Sequence, residues 1–242
     1  MMKKMLLILA VLAVAGSASA ADLWEDWESG MDGWTFYGGG PNPALSNAQN
    51  TTPGGEWSLK TADNGSVNYT NAVDYSFDAA HGLAGLYWTA SWNFMDTGAT
   101  REYLQLQSYS GGGGSGNLQQ LISLGVYNAG VDLSKYNFRV AIGGVGWGNT
   151  TVTRVANVWH AMKVELFADG TVNFWIDGSI AASTTTTAVY GVTRVRVGSG
   201  LTNGGKGAYY DDILLEQIPE PGSLLALGTG LIGLLGVILR RR

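Results

Sequence analysis

The stretch "VWHAMKVELFADGTVNFWIDGS", residues 158–179, leaves its chain few choices. His160, Met162, Val164 and Leu166 alternate with Ala161, Lys163, Glu165 and Phe167, and beyond Asp169-Gly170, Val172, Phe174 and Ile176 alternate with Asn173, Trp175 and Asp177. Strand side chains point alternately to opposite faces, and Asp-Gly accepts the positive φ of a tight hairpin turn, so period two on both sides of that pair predicts a β-hairpin. A second Asp-Gly, at Asp177-Gly178, ends the second strand. One apolar face per strand must be buried against other strands. The segments "LYWTASWNF" (86–94), "EYLQLQSY" (102–109), "LQQLISLGV" (118–126) and "NFRVAIGG" (137–144) supply them, being rich in β-branched and aromatic residues. Glycine, 36 of 242 residues, gathers between them at 38–40, 111–114, 143–149 and 198–207. The expectation is all-β: about ten to thirteen short strands in a two-sheet antiparallel jelly-roll sandwich, one domain over residues 21–217. Trp88, Trp92, Trp159 and Trp175 lie in these strands and are expected in the core.

The two ends read differently. Lys3 and Lys4, an apolar run from Met5 to Ala15, and Ala18-Ser19-Ala20 form a secretory signal peptide over residues 1–20, cut by signal peptidase after Ala20. At the other end, residues 218–242 run "IPEPGSLLALGTGLIGLLGVILRRR": Pro219-Glu220-Pro221, an uncharged stretch over 222–239, and Arg240, Arg241 and Arg242. Apolar residues all round and a length close to the bilayer minimum predict a transmembrane helix over 222–239. The basic clusters at both ends favour the cytoplasmic side, which places the body across the membrane.

Residues 21–239 carry nine basic side chains against nineteen acidic ones. Such a body is a poor match for nucleic acid or anionic lipid, whose phosphates need clustered Lys and Arg. It suits calcium or neutral glycans better. Cysteine is absent, which excludes disulfides, thiol catalysis and Cys-based metal sites.

The tail resembles the PEP-CTERM sorting signal read by the exosortase system of Gram-negative bacteria, with Pro219, Glu220, Pro221 and Arg240 to Arg242 carrying the match. That resemblance implies a precursor held in the inner membrane, cleaved by exosortase, and released to the cell surface or extracellular matrix. The body, through "VWHAMKVELFADGTVNFWIDGS", "VTRVRVGSG" and "GAYYDDILLE", resembles laminin-G-like and concanavalin-A-like jelly rolls, and "DWESGMDGW" (26–34) resembles the first strand of carbohydrate-binding-module-like jelly rolls. These implied folds serve lectins, hydrolases and structural modules alike.

Two sets of site candidates follow. Asp26 and Glu28, expected on the first strand, and Asp211 and Asp212, expected on the last, could offer oxygens to a structural Ca²⁺, with Glu28 and Asp212 leading; alternatively they are surface acids, with Asp211 and Asp212 on opposite faces. Trp147, alone in the glycine loop "GGVGWGN" that Asn149 closes, and Tyr37, before Gly38–Gly40, could stack on sugar rings; edge packing or loop anchoring is the alternative. No paired-carboxylate motif of a retaining glucanase and no Ser-His-Asp pattern occurs, and the resemblance to laminin-G-like domains implies a structural role for His160 beside Trp159. The reading is a non-catalytic, exported polysaccharide-binding protein, with a structural spacer second and a glycan hydrolase or lyase third.

Overall fold

The computed structural model describes residues 21–62, 71–81, 86–99, 101–111, 113–199 and 206–219. The expected signal peptide (1–20), Glu220, Pro221, the 222–239 segment and Arg240 to Arg242 lie outside them. Among the described residues no helix is long and apolar enough to cross a membrane.

Fifteen strands run through these residues: β1 (Ala21–Glu25), β2 (Trp34–Tyr37), β3 (Ala44–Ser46), β4 (Ser58–Lys60), β5 (Asn71–His81), β6 (Leu86–Asp96), β7 (Glu102–Tyr109) and β8 (Leu118–Val126). They continue as β9 (Lys135–Ala141), β10 (Gly146–Thr153), β11 (Trp159–Leu166), β12 (Thr171–Ile176), β13 (Ser179–Thr185), β14 (Val192–Ser199) and β15 (Ala208–Pro219). All pairings are antiparallel. One sheet has the order β13-β12-β11-β6-β15-β4-β3, with β1 also paired to β15; the other has seven strands in the order β10-β9-β8-β7-β14-β5-β2. The two pack face to face as a jelly-roll sandwich.

The hairpin read from the sequence is β11–β12, with Leu166 opposite Val172 and Met162 opposite Ile176. Gly170 turns it at φ 85°, and Asp169 Oδ1 accepts the Thr171 amide at 2.8 Å. Its apolar face meets the other sheet, where Phe174 lies 4.7 Å from Phe138 and His160 edges onto Tyr136 at 5.1 Å. Trp88 and Trp92 are core residues. Trp159 and Trp175 are not: they alternate with inward His160 and Phe174, so parity turns them to the outer face, where they are half-buried. There Trp175 donates Nε1–H to Glu165 Oε2 at 2.7 Å beneath the Lys163 ammonium, 4.4 Å from its ring centre.

Candidate functional site

The first and last strands are neighbours, with Trp24 opposite Leu214. Asp26 and Glu28 nevertheless lie beyond β1, which ends at Glu25, in a turn where Asp26 Oδ1 accepts the Glu28 amide at 3.1 Å. Glu28 clasps the loop before β4: its carboxylate accepts the amides of Glu56 (2.9 Å) and Trp57 (2.8 Å) and Nδ2–H of Asn50 (3.1 Å). Those amides hold its pKa below the usual carboxylate range. Asp211 and Asp212 do not split between faces. A bulge separates Asp211 from Leu214 in the pairing with β6, and Asp212 sits at φ 49°, which brings both carboxylates to the same Thr51-Thr52 turn.

Asp211 accepts Thr51 N–H (2.7 Å) and the Thr51 hydroxyl (2.9 Å); Asp212 accepts the Thr52 hydroxyl (2.8 Å) and Asn93 Nδ2–H (2.8 Å). Burial pushes the Asp211 carboxyl up, partly offset by the Thr51 bonds. Glu28, Asp211 and Asp212 thus grip one loop from separate anchor points while Asp26 caps its own turn, and among the described residues no three acidic or histidine side chains gather as a metal cluster. Oxygens of Glu28, Asp211 and Asp212 accept from N–H and O–H donors of this loop, whereas Ca²⁺ needs six to eight oxygens turned toward one point.

Beside Asp212 a cavity of about 370 Å³ opens between Thr52, Pro53, Ser91, Asn93 and Trp24. Trp24, 55% exposed, was not singled out by the sequence. Its position between inward Leu23 and inward-turned Glu25 would have been the signal.

The aromatic candidates lead to the opposite side of the molecule. Trp147 is in β10, not in a loop. It is half-buried, stacked on Tyr127 at 3.9 Å and 5°, with Tyr103 at 5.4 Å and the Arg139 guanidinium 5.5 Å from its ring. Asn149, two residues on, is exposed, and its Oδ1 accepts Asp132 N–H (2.9 Å) and Asn137 Nδ2–H (3.1 Å), bonds that fix a neighbouring turn. Tyr37 ends β2 at the far edge of the same sheet, 39% exposed, with the Arg196 guanidinium 3.3 Å from its ring centre.

Direct partners in an antiparallel sheet share a face. Following the register from Trp147 gives Arg139, Ser123, Gln105, Arg196, Asp74 and Thr35 in succession, one residue per strand across the whole seven-stranded sheet. The adjoining row holds Asn149, Asn137, Gly125 and Tyr103, and ends at Ala72 opposite Tyr37. All three aromatic-site candidates therefore lie on one face, about 29 Å across at six strand spacings.

That face is polar, yet largely withdrawn from water. Arg196 grips Asp74 in two bonds, Nε to Oδ1 at 2.6 Å and Nη2 to Oδ2 at 2.8 Å, and Arg194 Nη1 approaches Asp74 Oδ2 at 3.4 Å. Burial works against the Arg196 charge, but the Asp74 bonds prevail and hold its pKa above the ordinary value. Gln107 Oε1, Ser123 Oγ, Tyr103 Oη, Arg139 Nε and Arg194 Nε are buried with no hydrogen-bond partner among the described residues. Burial also drives the Tyr103 hydroxyl far up, so it stays a protonated donor. These polar strand residues were missed in the sequence, although "TRVRV" already placed two arginines two apart, on one face of a strand.

Fold and face together define a two-sheet jelly-roll domain with one polar, aromatic-edged sheet face. The particular signature of this chain is at its end: residues 217–242 match the PEP-CTERM protein-sorting motif. No curated protein matches the chain. Among solved structures it is similar to the globular domain of T. cruzi calreticulin (12% identity, 92% of this chain and 100% of that one, TM-score 0.55). It is also similar to the cellulose-induced protein Cip1 (14% identity, 80% and 96%, TM-score 0.52). A sialidase matches at 12% identity and TM-score 0.53, with 82% of this chain covering only 18% of that protein. At such identities the likeness is one of fold.

Proposed function

We propose that this protein is exported, sorted through its C-terminal motif, and binds polysaccharide without catalysis across the outer face of the seven-stranded sheet. The carrying observation is the set of five buried, unpartnered polar atoms on a face edged by Trp147 and Tyr37. Buried polar groups normally have partners, and sugar hydroxyls both donate and accept while sugar ring faces stack on aromatic rings. The carboxylates argue against hydrolysis. Asp74 is held by arginines, and Asp78, four residues further along β5, is about 13 Å away, beyond the spacing at which two carboxyls share a glycosidic bond.

In sorting, Pro219-Glu220-Pro221 is the recognition point for exosortase after signal peptidase has acted, the 222–239 segment holds the precursor in the inner membrane, and the product is released to the surface of a Gram-negative host.

The binding test is affinity electrophoresis of the full-length protein through gels containing different polysaccharides. At least one polymer retards the wild type, and Trp147→Ala weakens that binding about tenfold or more at unchanged fold. Migration unaffected by every polymer would favour a structural role instead. For sorting, deleting the chain after Gln217 in the native host abolishes surface retention; unchanged retention would refute the role given to the tail.

A further inference from the structure

We infer that the ligand of the seven-stranded face is an acidic polysaccharide whose units carry carboxylates, such as a polyuronate. The inference rests on the polysaccharide reading above and narrows it to a charge class. It starts from an imbalance. Residues 21–239 hold nineteen acidic side chains and nine basic ones, yet three of those nine, Arg139, Arg194 and Arg196, stand on this single face.

The arginines are unequally occupied. Arg196 is satisfied by its two bonds to Asp74. Arg194 shares that carboxylate only at 3.4 Å, gives Nη2–H to the Gly113 carbonyl at 3.3 Å across the glycine loop, and leaves Nε unpartnered with 16% of its side chain exposed. Arg139 has no carboxylate partner among the described residues; its guanidinium faces the Trp147 ring, and its Nε is likewise buried and bare. Two half-buried guanidinium groups therefore keep donor capacity unspent, three strand spacings and two residues along the strand apart, about 16 Å.

A partly desolvated cation without an anion is costly, and a guanidinium discharges that cost best on a carboxylate, whose two oxygens match its fork. Neutral hydroxyls can accept from Nε, but they leave the charge uncompensated. The remainder of this acidic molecule repels polyanions, so a polyuronate gains affinity only where the arginines cluster, and the face gains selectivity against neutral glycans of the same shape.

The test uses the full-length protein and two probes: an oligogalacturonate, and the same oligomer with its carboxylates reduced to primary alcohols. Isothermal titration is expected to give at least about tenfold tighter binding of the acidic oligomer, falling as salt is raised, because a charge-assisted bond exceeds a neutral one by roughly that factor. Arg139→Gln removes most of the preference and Arg139→Lys keeps part of it. Should Arg139→Gln fail to fold, the comparison of probes on the wild type decides alone. Equal binding of both oligomers, or tighter binding of the reduced one, overturns the charge assignment while leaving polysaccharide binding in place. Binding of neither oligomer, with retardation by neutral polymers in the gels, overturns the charge assignment in the same way. Binding of no glycan removes both readings.

Discussion

Gly125 decides the shape of the polar face by lacking a side chain. It lies opposite Tyr103, and a Cβ at this position would stand 2.6 Å from Tyr103 Cα and 2.7 Å from its Cβ. The empty space leaves room for Tyr103, whose ring packs against Trp147 at 5.4 Å, tilted by 54°. Gly125→Ala is expected to cost roughly 1–3 kcal/mol in a urea melt, the usual penalty for overpacking a closed site, and to weaken glycan binding through the displaced Trp147. A stability within the error of wild type would show that Tyr103 can shift freely. Asp96 is a second such residue. Fully buried, it accepts the amides of Gly98 (2.8 Å) and Ala99 (2.6 Å) and pairs with Arg154, so Asp96→Ala strands that guanidinium and should cost about 3–5 kcal/mol. Neither role is visible in the sequence, because a glycine or an aspartate looks the same before its distant neighbours are known.

At the scale of elements, legibility followed how local the information was. The β11–β12 hairpin could be read because its period and its turn lie within one continuous segment. Its turn is testable: Gly170 has φ 85°, and an added Cβ would run into the Thr186 carbonyl, so Gly170→Ala is expected to destabilise by roughly 1–3 kcal/mol. Strand β10 was hidden for the opposite reason. "GGVGWGN" has the composition of a loop, and only pairing with β9 makes it a strand. The polar row across the seven-stranded sheet depends on β14 lying between β7 and β5, a join of segments about ninety and one hundred and twenty residues apart, as the Arg196–Asp74 separation of 122 illustrates. The bulge at Asp212 is similar: alternation predicts opposite faces for adjacent aspartates, and one positive φ brings them together.

For the molecule as a whole, the acidic excess makes stability a function of pH, and two groups of carboxyls pull in opposite directions. Glu28, Asp132 and Asp169 are held below the ordinary range, respectively by the amides of Trp57 and Glu56, by the Ser134 hydroxyl and amide, and by the Thr171 amide. What they contribute is present above the unfolded pKa and is lost as pH falls through the lowered values. Glu25 and Asp211 are raised, chiefly by burial, so their native forms hold protons that the unfolded chain has released. Their contribution is complete below the unfolded pKa and is lost as pH rises through the raised values. Thermal stability should therefore pass through a maximum near the ordinary carboxylate range, about pH 4, and decline above it. Asp211→Asn removes one of the two groups responsible for the decline while keeping an oxygen for the Thr51 amide. Its Tm, followed from about pH 4 to about pH 6, should fall less steeply than that of wild type. Each protein is compared with its own value at the maximum, so a uniform loss of stability in the variant leaves the slope readable. An unchanged slope would mean that Asp211 ionises as easily folded as unfolded, and that the Thr51-Thr52 turn does not bury its charge.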